Sequence, residues 1–131
     1  VFITFCALSE AKGMAIKMIN NEKREIIRQD NVNGGNGYIL KENLLAPEYL
    51  GEHCKLFSKI TLKPGCEIGY HEHHEETETY YFLSGKGIYQ DNKDEIPVKA
   101  GDVTFCEDGS GHGVRNTGTE DIEFVALILK K

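Results

Sequence analysis

From residue 38 onward, the chain is a series of short extended segments, each followed by a turn signal. Pairs such as Ser84-Gly85, Ala100-Gly101 and Thr117-Gly118 mark these turns. The candidate strands are Tyr38–Leu45, Lys55–Leu62, Glu67–His71, Thr77–Leu83, Gly87–Gln90, Glu95–Lys99, Asp102–Cys106, Gly111–Arg115 and Ile122–Leu129. None of them shows the 3.6-residue period of a helix, and short strands at this spacing are typical of all-β proteins. The pattern therefore predicts an all-β sandwich or barrel.

The stretch Asn20–Asn33 is polar and charged and shows no regular pattern. Glu22–Arg28 could form a short helix or an arm. The first residue is not methionine, and we interpret residues 1–17 as an N-terminal extension, tag or arm. Residues 18–131 are then predicted to form one domain, which suits a chain of this length.

Charge and hydropathy narrow the range of partners. The chain has 15 Lys and Arg against 21 Asp and Glu, a net charge of −6. This balance argues against nucleic acid, which is bound by clustered cations, and against an anionic membrane surface. A helix needs about 20 consecutive apolar residues to span a membrane, and the sequence contains no such run. The 4 cysteines form no Cys-x-x-Cys pair, so we interpret them as reduced thiols of a cytoplasmic protein.

Metal-ligating side chains are concentrated between residues 65 and 85. His71 and His73 are two positions apart, so their rings share one face if this stretch is extended. Glu78 begins the next candidate strand, where an antiparallel neighbour could bring its carboxylate beside both rings. Imidazole and carboxylate together suit divalent first-row metals such as Mn, Fe, Co, Ni and Zn.

A third imidazole comes from a second segment, residues 101–116. Here His112 follows a glycine-rich turn and begins a strand. Three imidazoles and one carboxylate would leave one or two positions open on an ion of five or six coordination. An open position is what a catalytic metal requires.

These two segments resemble the two motifs of the cupin superfamily. The first matches G(x)5HxH(x)4E(x)6G, and the second is similar to G(x)5PxG(x)2H(x)3N. The short connection between them is like that of small single-domain bacterial cupins. The resemblance implies a double-stranded β-helix, or jelly-roll barrel, with one divalent transition metal on His71, His73, Glu78 and His112. The one departure is Glu107, which replaces a proline that shapes the turn but binds no metal.

The charged residues around the first motif have weaker claims to a role. His74 should point away from the two ligand histidines in a regular strand, and His53 stands outside both motifs. Glu75 and Glu76 are predicted to be turn residues with solvated charges, although either could rim the mouth of the pocket.

Residues on the ligand face of the strands are candidates for lining a pocket. Tyr80 and Phe82 share the face of Glu78, and Val114 shares that of His112. Core packing and a pocket wall are both open for them. Tyr80 is a weak catalytic candidate, because its hydroxyl could hydrogen-bond a metal-bound ligand.

The resemblance leaves the function open, because cupins carry many chemistries. Our first hypothesis is an enzyme that uses the metal to act on a small oxygen-rich molecule, such as a carboxylate or an enediol, with dioxygenase- or decarboxylase-like chemistry. No further carboxylate or histidine can be assigned as general acid or base. The alternative is therefore a non-catalytic module that binds or senses a small ligand.

The last strand predicts an assembly. Ile122–Leu129 is apolar on both faces apart from Glu123. A barrel wall buries one face only, so the other must be covered by the N-terminal segment or by a second subunit. We predict a homodimer.

Overall fold

The computed structural model describes residues 18–20, 22 and 24–131, so the predicted extension at 1–17 lies outside the described residues. The strands are β1 (Ile26–Asp30), β2 (Tyr38–Asn43), β3 (Cys54–Leu62), β4 (Glu67–Glu72), β5 (Glu76–Ser84), β6 (Lys86–Asp91), β7 (Asp94–Lys99), β8 (Val103–Cys106), β9 (Gly111–Arg115) and β10 (Ile122–Lys130). Two 3-10 turns, Val32–Gly34 and Pro47–Tyr49, are also present. Within the described ranges, no helix is long and apolar enough to cross a membrane.

The strands form two antiparallel sheets. One has the order β1-β2-β3-β10-β5-β8, and the other has the order β4-β9-β6-β7. Consecutive strands such as β4 and β5, or β8 and β9, lie in different sheets, so the chain crosses repeatedly from one sheet to the other. The predicted all-β barrel is confirmed, and β2 to β10 begin and end within two residues of the predicted limits.

The alternation of buried and exposed residues builds a core between the sheets. In β10, Phe124 and Ala126 are fully buried, and they lie opposite Phe82 and Tyr80 of β5. Side chains from both sheets contribute to the same apolar cluster, which includes Ile39, Ile60, Leu62, Ile68, Tyr89, Val98, Val114 and Ile122. Because inward side chains alternate with outward ones, the same strands that form this core also present the candidate ligands.

A short helix was considered for Glu22–Arg28, but from Ile26 onward the structure has the strand β1. Ile26–Asp30 is extended and pairs along its whole length with β2, from Ile26 opposite Glu42 to Asp30 opposite Tyr38. β1 is an edge strand and is mostly exposed. Its sequence therefore has little need of the apolar alternation that identifies the inner strands.

Two turns of the motifs depend on glycine. Gly85 has a φ of 80°, and a Cβ there would lie 2.4 Å from the carbonyl oxygen of Asp121. Gly109, in the turn before β9, has a φ of 88°. Other residue types rarely adopt this conformation, so both turns favour glycine for a steric reason.

Candidate metal centre

The four predicted ligands meet inside the barrel. His71 lies on β4, Glu78 on β5 and His112 on β9, and His73 directly follows β4. β4 and β9 are antiparallel neighbours whose register sets His71 opposite His112. Backbone pairing thus places side by side two rings that are far apart in the sequence.

His73 lies in the turn between β4 and β5, and main-chain hydrogen bonds fix this turn. The backbone N–H of His73 donates to the carbonyl of Ser110 (3.0 Å), and its carbonyl accepts the N–H of Gly109 (2.7 Å). The backbone N–H of Glu75 donates to the carboxylate of Asp108 (2.6 Å). The turn that carries His73 is therefore bonded to the turn that precedes His112.

That second turn is closed although it lacks the proline of the family motif. The carbonyl of Glu107 accepts the backbone N–H of Ser110 at 3.0 Å. Glu107 itself is exposed. The substitution therefore leaves a hydrogen-bonded turn in place beside His112.

The spacing of the ligand atoms suits one ion. The four atoms lie within 4.8 Å of one another. Oε1 of Glu78 is 2.9 Å from Nε2 of His73 and of His112, and 3.7 Å from Nε2 of His71. Ligand atoms that each lie about 2.1 Å from an octahedral metal are about 3 Å apart. The donor set and its spacing thus fit a first-row divalent cation.

Each histidine also has a partner for its second ring nitrogen. Nδ1 of His71 donates to the carbonyl oxygen of Gly69 (2.8 Å), and Nδ1 of His73 donates to the carboxylate of Glu76. Nδ1 of His112 is hydrogen-bonded to the hydroxyl of Tyr89 at 2.7 Å. Metal-binding histidines are typically oriented in this way, with Nε2 left for the ion.

Burial and mutual contacts shift the pKa values of the side chains in this cluster. Burial alone would raise the pKa of the Glu78 carboxyl, but its hydrogen bonds with His112 and His73 and the nearby ring of His71 outweigh burial and hold this pKa well below its ordinary value. The hydrogen bond with Glu78 raises the pKa of His73, whereas burial lowers the pKa of His112. At neutral pH an anionic carboxylate therefore faces a ring that readily holds a proton and another that stays neutral.

A cavity of about 220 Å³ opens onto the cluster. Among its lining residues are His71, His73 and Glu78, while His112 is fully buried behind them. The apolar part of the wall comes from Ile39, Leu56, Ile60, Ile68, Ala126 and Ile128. A small molecule in this cavity would therefore reach the cluster from one side.

Of the three residues that were candidates for lining a pocket, one borders this cavity and two do not. Tyr80 lines the cavity, and its ring stacks on that of His112 with centroids 4.9 Å apart. Phe82 and Val114 lie in the apolar core and not in the wall of this cavity. Phe82 is two residues farther along β5 and packs against Phe124, so of the two roles left open for it the structure shows core packing.

The two histidines without motif support are exposed. His74 is paired with Glu72 at 3.0 Å, outside the cluster. His53 lies in a turn before β3. Neither contributes to the ligand group that the described residues form.

Sequence reasoning left open that Glu76 borders the pocket, but it missed the hydrogen bond of Glu76 with His73 and the contact of Tyr89 with His112. Glu76 begins β5, lines the cavity and bonds both His73 and Lys55, so its charge is not simply solvated. Its signal was the period of two, which puts it on the face of Glu78. Tyr89 gave no comparable signal, because its contact with His112 depends on the pairing of β6 with β9.

Comparison with known proteins supports the motif resemblance. Residues 58–128 match the family model described as "Cupin domain". The chain is 37% identical to an oxalate-binding protein of Thermotoga maritima, over 93% of this chain and 98% of that one. A shorter match, 41% identical over 46 residues, is to (S)-ureidoglycine aminohydrolase of Escherichia coli and spans 18% of that protein.

Solved structures agree with the fold. A Thermotoga maritima structure described as a predicted oxalate decarboxylase superposes with a TM-score of 0.84 at 36% identity, covering 88% of this chain and 100% of that chain. A cupin 2 conserved barrel domain protein from Salinispora arenicola gives a TM-score of 0.63 at 23% identity, with 88% of each chain covered. This second likeness concerns the fold alone.

Proposed function

This chain belongs to the cupin family, and from that premise we propose that it binds one divalent transition metal and takes up a small dicarboxylate on it, with oxalate as the first candidate. The observation that carries the proposal is the convergence of three imidazoles and one carboxylate beside a small cavity. His71, His73, Glu78 and His112 would hold the ion, which is Mn, Fe, Co, Ni or Zn on the chemistry of the donors.

The residues around the cluster prepare it for an anion. A bound divalent ion would supply net positive charge and open positions for carboxylate oxygens. Gly69, Glu76 and Tyr89 fix the ring orientations, and the apolar wall limits access of water. The similarity to a protein named for binding oxalate supports this ligand class.

Metal analysis and calorimetry test the proposal together. We expect the purified protein to hold close to one transition ion per chain, and the loaded protein to bind oxalate. The metal-free protein, prepared with a chelator and checked for folding by circular dichroism, should bind none. The proposal is contradicted if the protein binds none of the ions Mn, Fe, Co, Ni and Zn. It is also contradicted if the metal-loaded and metal-free forms bind oxalate with equal affinity.

A second candidate function is turnover of the bound acid, by decarboxylase- or dioxygenase-like chemistry. Tyr80 lines the cavity, and burial raises the pKa of its hydroxyl well above the ordinary value, so this group remains a hydrogen-bond donor. Loaded protein incubated with oxalate, with and without oxygen, should then release carbon dioxide, and Tyr80→Phe should slow the release. Recovery of all the oxalate would leave the non-catalytic binding module as the function.

We also propose that the protein is a homodimer and that it works in the cytoplasm. On the outer face of the six-stranded sheet, Tyr81, Leu83, Val103, Phe105 and Leu129 are exposed. A second copy could cover this apolar patch. Light scattering at micromolar concentration should give twice the chain mass of 14.7 kDa.

The cysteines support the proposed cytoplasmic location. The structure shows free thiols at Cys54, Cys66 and Cys106, as a reducing compartment favours.

A further inference from the structure

Lys41 is the one charged side chain on β2 that faces the barrel interior. Its neighbours at a period of two, Ile39 and Asn43, both face inward: Ile39 is 3% exposed, and Asn43 accepts a hydrogen bond from the buried hydroxyl of Ser58 (2.8 Å). Lys41 lies between them and lines the same cavity as the histidine cluster. An inward ammonium is costly unless its charge finds a partner.

The other lysines nearby have such partners. Lys55, which also lines the cavity, is bonded to Glu76 at 2.9 Å. Lys59 points outward from β3 and lies 3.5 Å from Glu42 and 3.8 Å from Glu123. Across residues 18–20, 22 and 24–131, the structure places no carboxylate in ion-pair contact with Lys41. Its charge is therefore available to a ligand.

The position of Lys41 indicates the shape of that ligand. β2 and β5 are separated in the sheet by β3 and β10, so the strands that carry Lys41 and Glu78 are about 14 Å apart along the sheet at about 4.8 Å per strand. Apolar side chains, among them Ile60 and Ala126, line the cavity that both residues reach. The cavity thus offers two sites for acid groups and an apolar wall for a short carbon body.

We infer that Lys41 holds the second acid group of a diacid whose first acid group lies at the His71, His73, Glu78 and His112 cluster, and that it makes the cavity select diacids over monoacids. The inference rests on the proposed function, because it requires a carboxylate at the cluster. It adds the residue that recognises the distal end: longer diacids such as malonate and succinate reach Lys41, whereas oxalate binds through the cluster alone. A charge-assisted hydrogen bond at this site would change affinity by about tenfold.

Calorimetry on protein loaded with one chosen ion tests the inference with glycolate, oxalate, malonate and succinate. Lys41→Met keeps the length of the side chain and removes its charge. We expect it to weaken the binding of malonate and succinate about tenfold and to leave the affinities for glycolate and oxalate within twofold. Lys41→Arg should restore the diacid preference. Lys86→Met, on the exposed surface of β6, is the matched control and should bind every acid as the wild type does.

The outcomes separate the inference from the proposed function. If the loaded wild type binds none of the four acids, the proposed function fails and the inference fails with it. If the wild type binds diacids and Lys41→Met binds them equally well, or weakens glycolate as much as succinate, only the role of Lys41 is overturned. Metal content and melting temperature are measured for every variant, because a variant that is unfolded or metal-free would also bind the acids less well.

Discussion

The two halves of the barrel interior are built by the same strands and differ in chemistry. At the start of β5, Glu78 and Tyr80 border the cavity, and Ile128 of β10 lies opposite Glu78. At the end of β5, Phe82 lies opposite Phe124, and beyond them Ile122 lies opposite Leu62. We call these the ligand half and the closed half. The closed half is filled by side chains that are at most 1% exposed, whereas the ligand half leaves about 220 Å³ open.

The difference separates stability from function along a single strand. The closed half buries large apolar side chains, which is the dominant source of folding free energy. The ligand half places a carboxylate and three rings in the interior, where they are tolerated because each is hydrogen-bonded. Substitutions in the two halves should therefore have distinct consequences, and each prediction below tests that separation.

The largest expected effect is on metal binding in the ligand half. His71→Ala deletes a ligand from a half-buried position and should weaken ion binding by several orders of magnitude, with the fold retained. His74→Ala, three residues away and exposed, should bind as the wild type does. Titration with a fluorescent chelator as competitor measures both. Equal affinities for the two variants would show that His71 is no ligand.

The next effect concerns stability and comes from the closed half. Phe124→Ala should lower the free energy of unfolding by about 3–5 kcal/mol, since it leaves a cavity among buried rings. At low temperature the variant should still bind one ion per chain. Ile26→Ala, at an exposed position of the edge strand β1, should cost less than about 0.5 kcal/mol. Loss of ion binding in folded Phe124→Ala would break the proposed separation of the halves.

A smaller effect is expected from the groups that orient the rings. Tyr89→Phe removes the hydroxyl that is bonded to Nδ1 of His112 and should weaken metal binding about 10- to 100-fold while one ion per chain still binds. Tyr81→Phe, on the outer face of β5, is the matched control. An unchanged dissociation constant for Tyr89→Phe would mean that strand pairing alone holds the ring.

The smallest effect is a pH dependence confined to the ligand half. The raised pKa of His73 contributes stability that is full below about pH 6.5 and is lost as pH rises through the folded value. The lowered pKa of His112 acts in the opposite direction, but its effect ends once the pH is about one unit above 6.5, so metal-free protein should lose stability at pH values higher than that. Loaded protein should not, because the ion has already displaced the proton. Melting temperatures from pH 6 to 8.5 should diverge, and parallel curves for the two forms would contradict the assignment.

The sequence alone predicted more of the ligand half than of its surroundings. His71, His73, Glu78 and His112 stand in fixed motif spacing, and the period of two sets His71 and His73 on one side. Glu78 was expected on an antiparallel neighbour of the strand that carries His71, but it reaches the rings from β5, which lies in the other sheet. The contact of Tyr89 with His112 could not be predicted, because it depends on β6 lying beside β9. Phe82 shows the converse limit: the period gave the correct face, but whether that face borders a cavity depends on how Phe124 fills the opposite strand.

The edge of the sheet was harder to predict for a different reason. β1 is held by backbone pairing with β2 and buries little side-chain surface. Its residues therefore carry no apolar alternation, and the charged stretch before it was compatible with a short helix. Lys41 was passed over because one lysine in a strand is ordinary until the inward direction of its neighbours is known.

The contacts of the second ring nitrogens of the three histidines bear on how the proposed metal would be acquired in the cell. Gly69, Glu76 and Tyr89 hold the rings in place through contacts made by the chain alone. A site whose rings are already held in place does not change its shape to suit one particular ion. The intrinsic affinities of nitrogen and oxygen donors rank the first-row ions in a fixed series. Supply then governs loading. The same polypeptide produced in media rich in manganese, nickel or zinc should emerge with different metals, and the growth medium becomes an experimental variable.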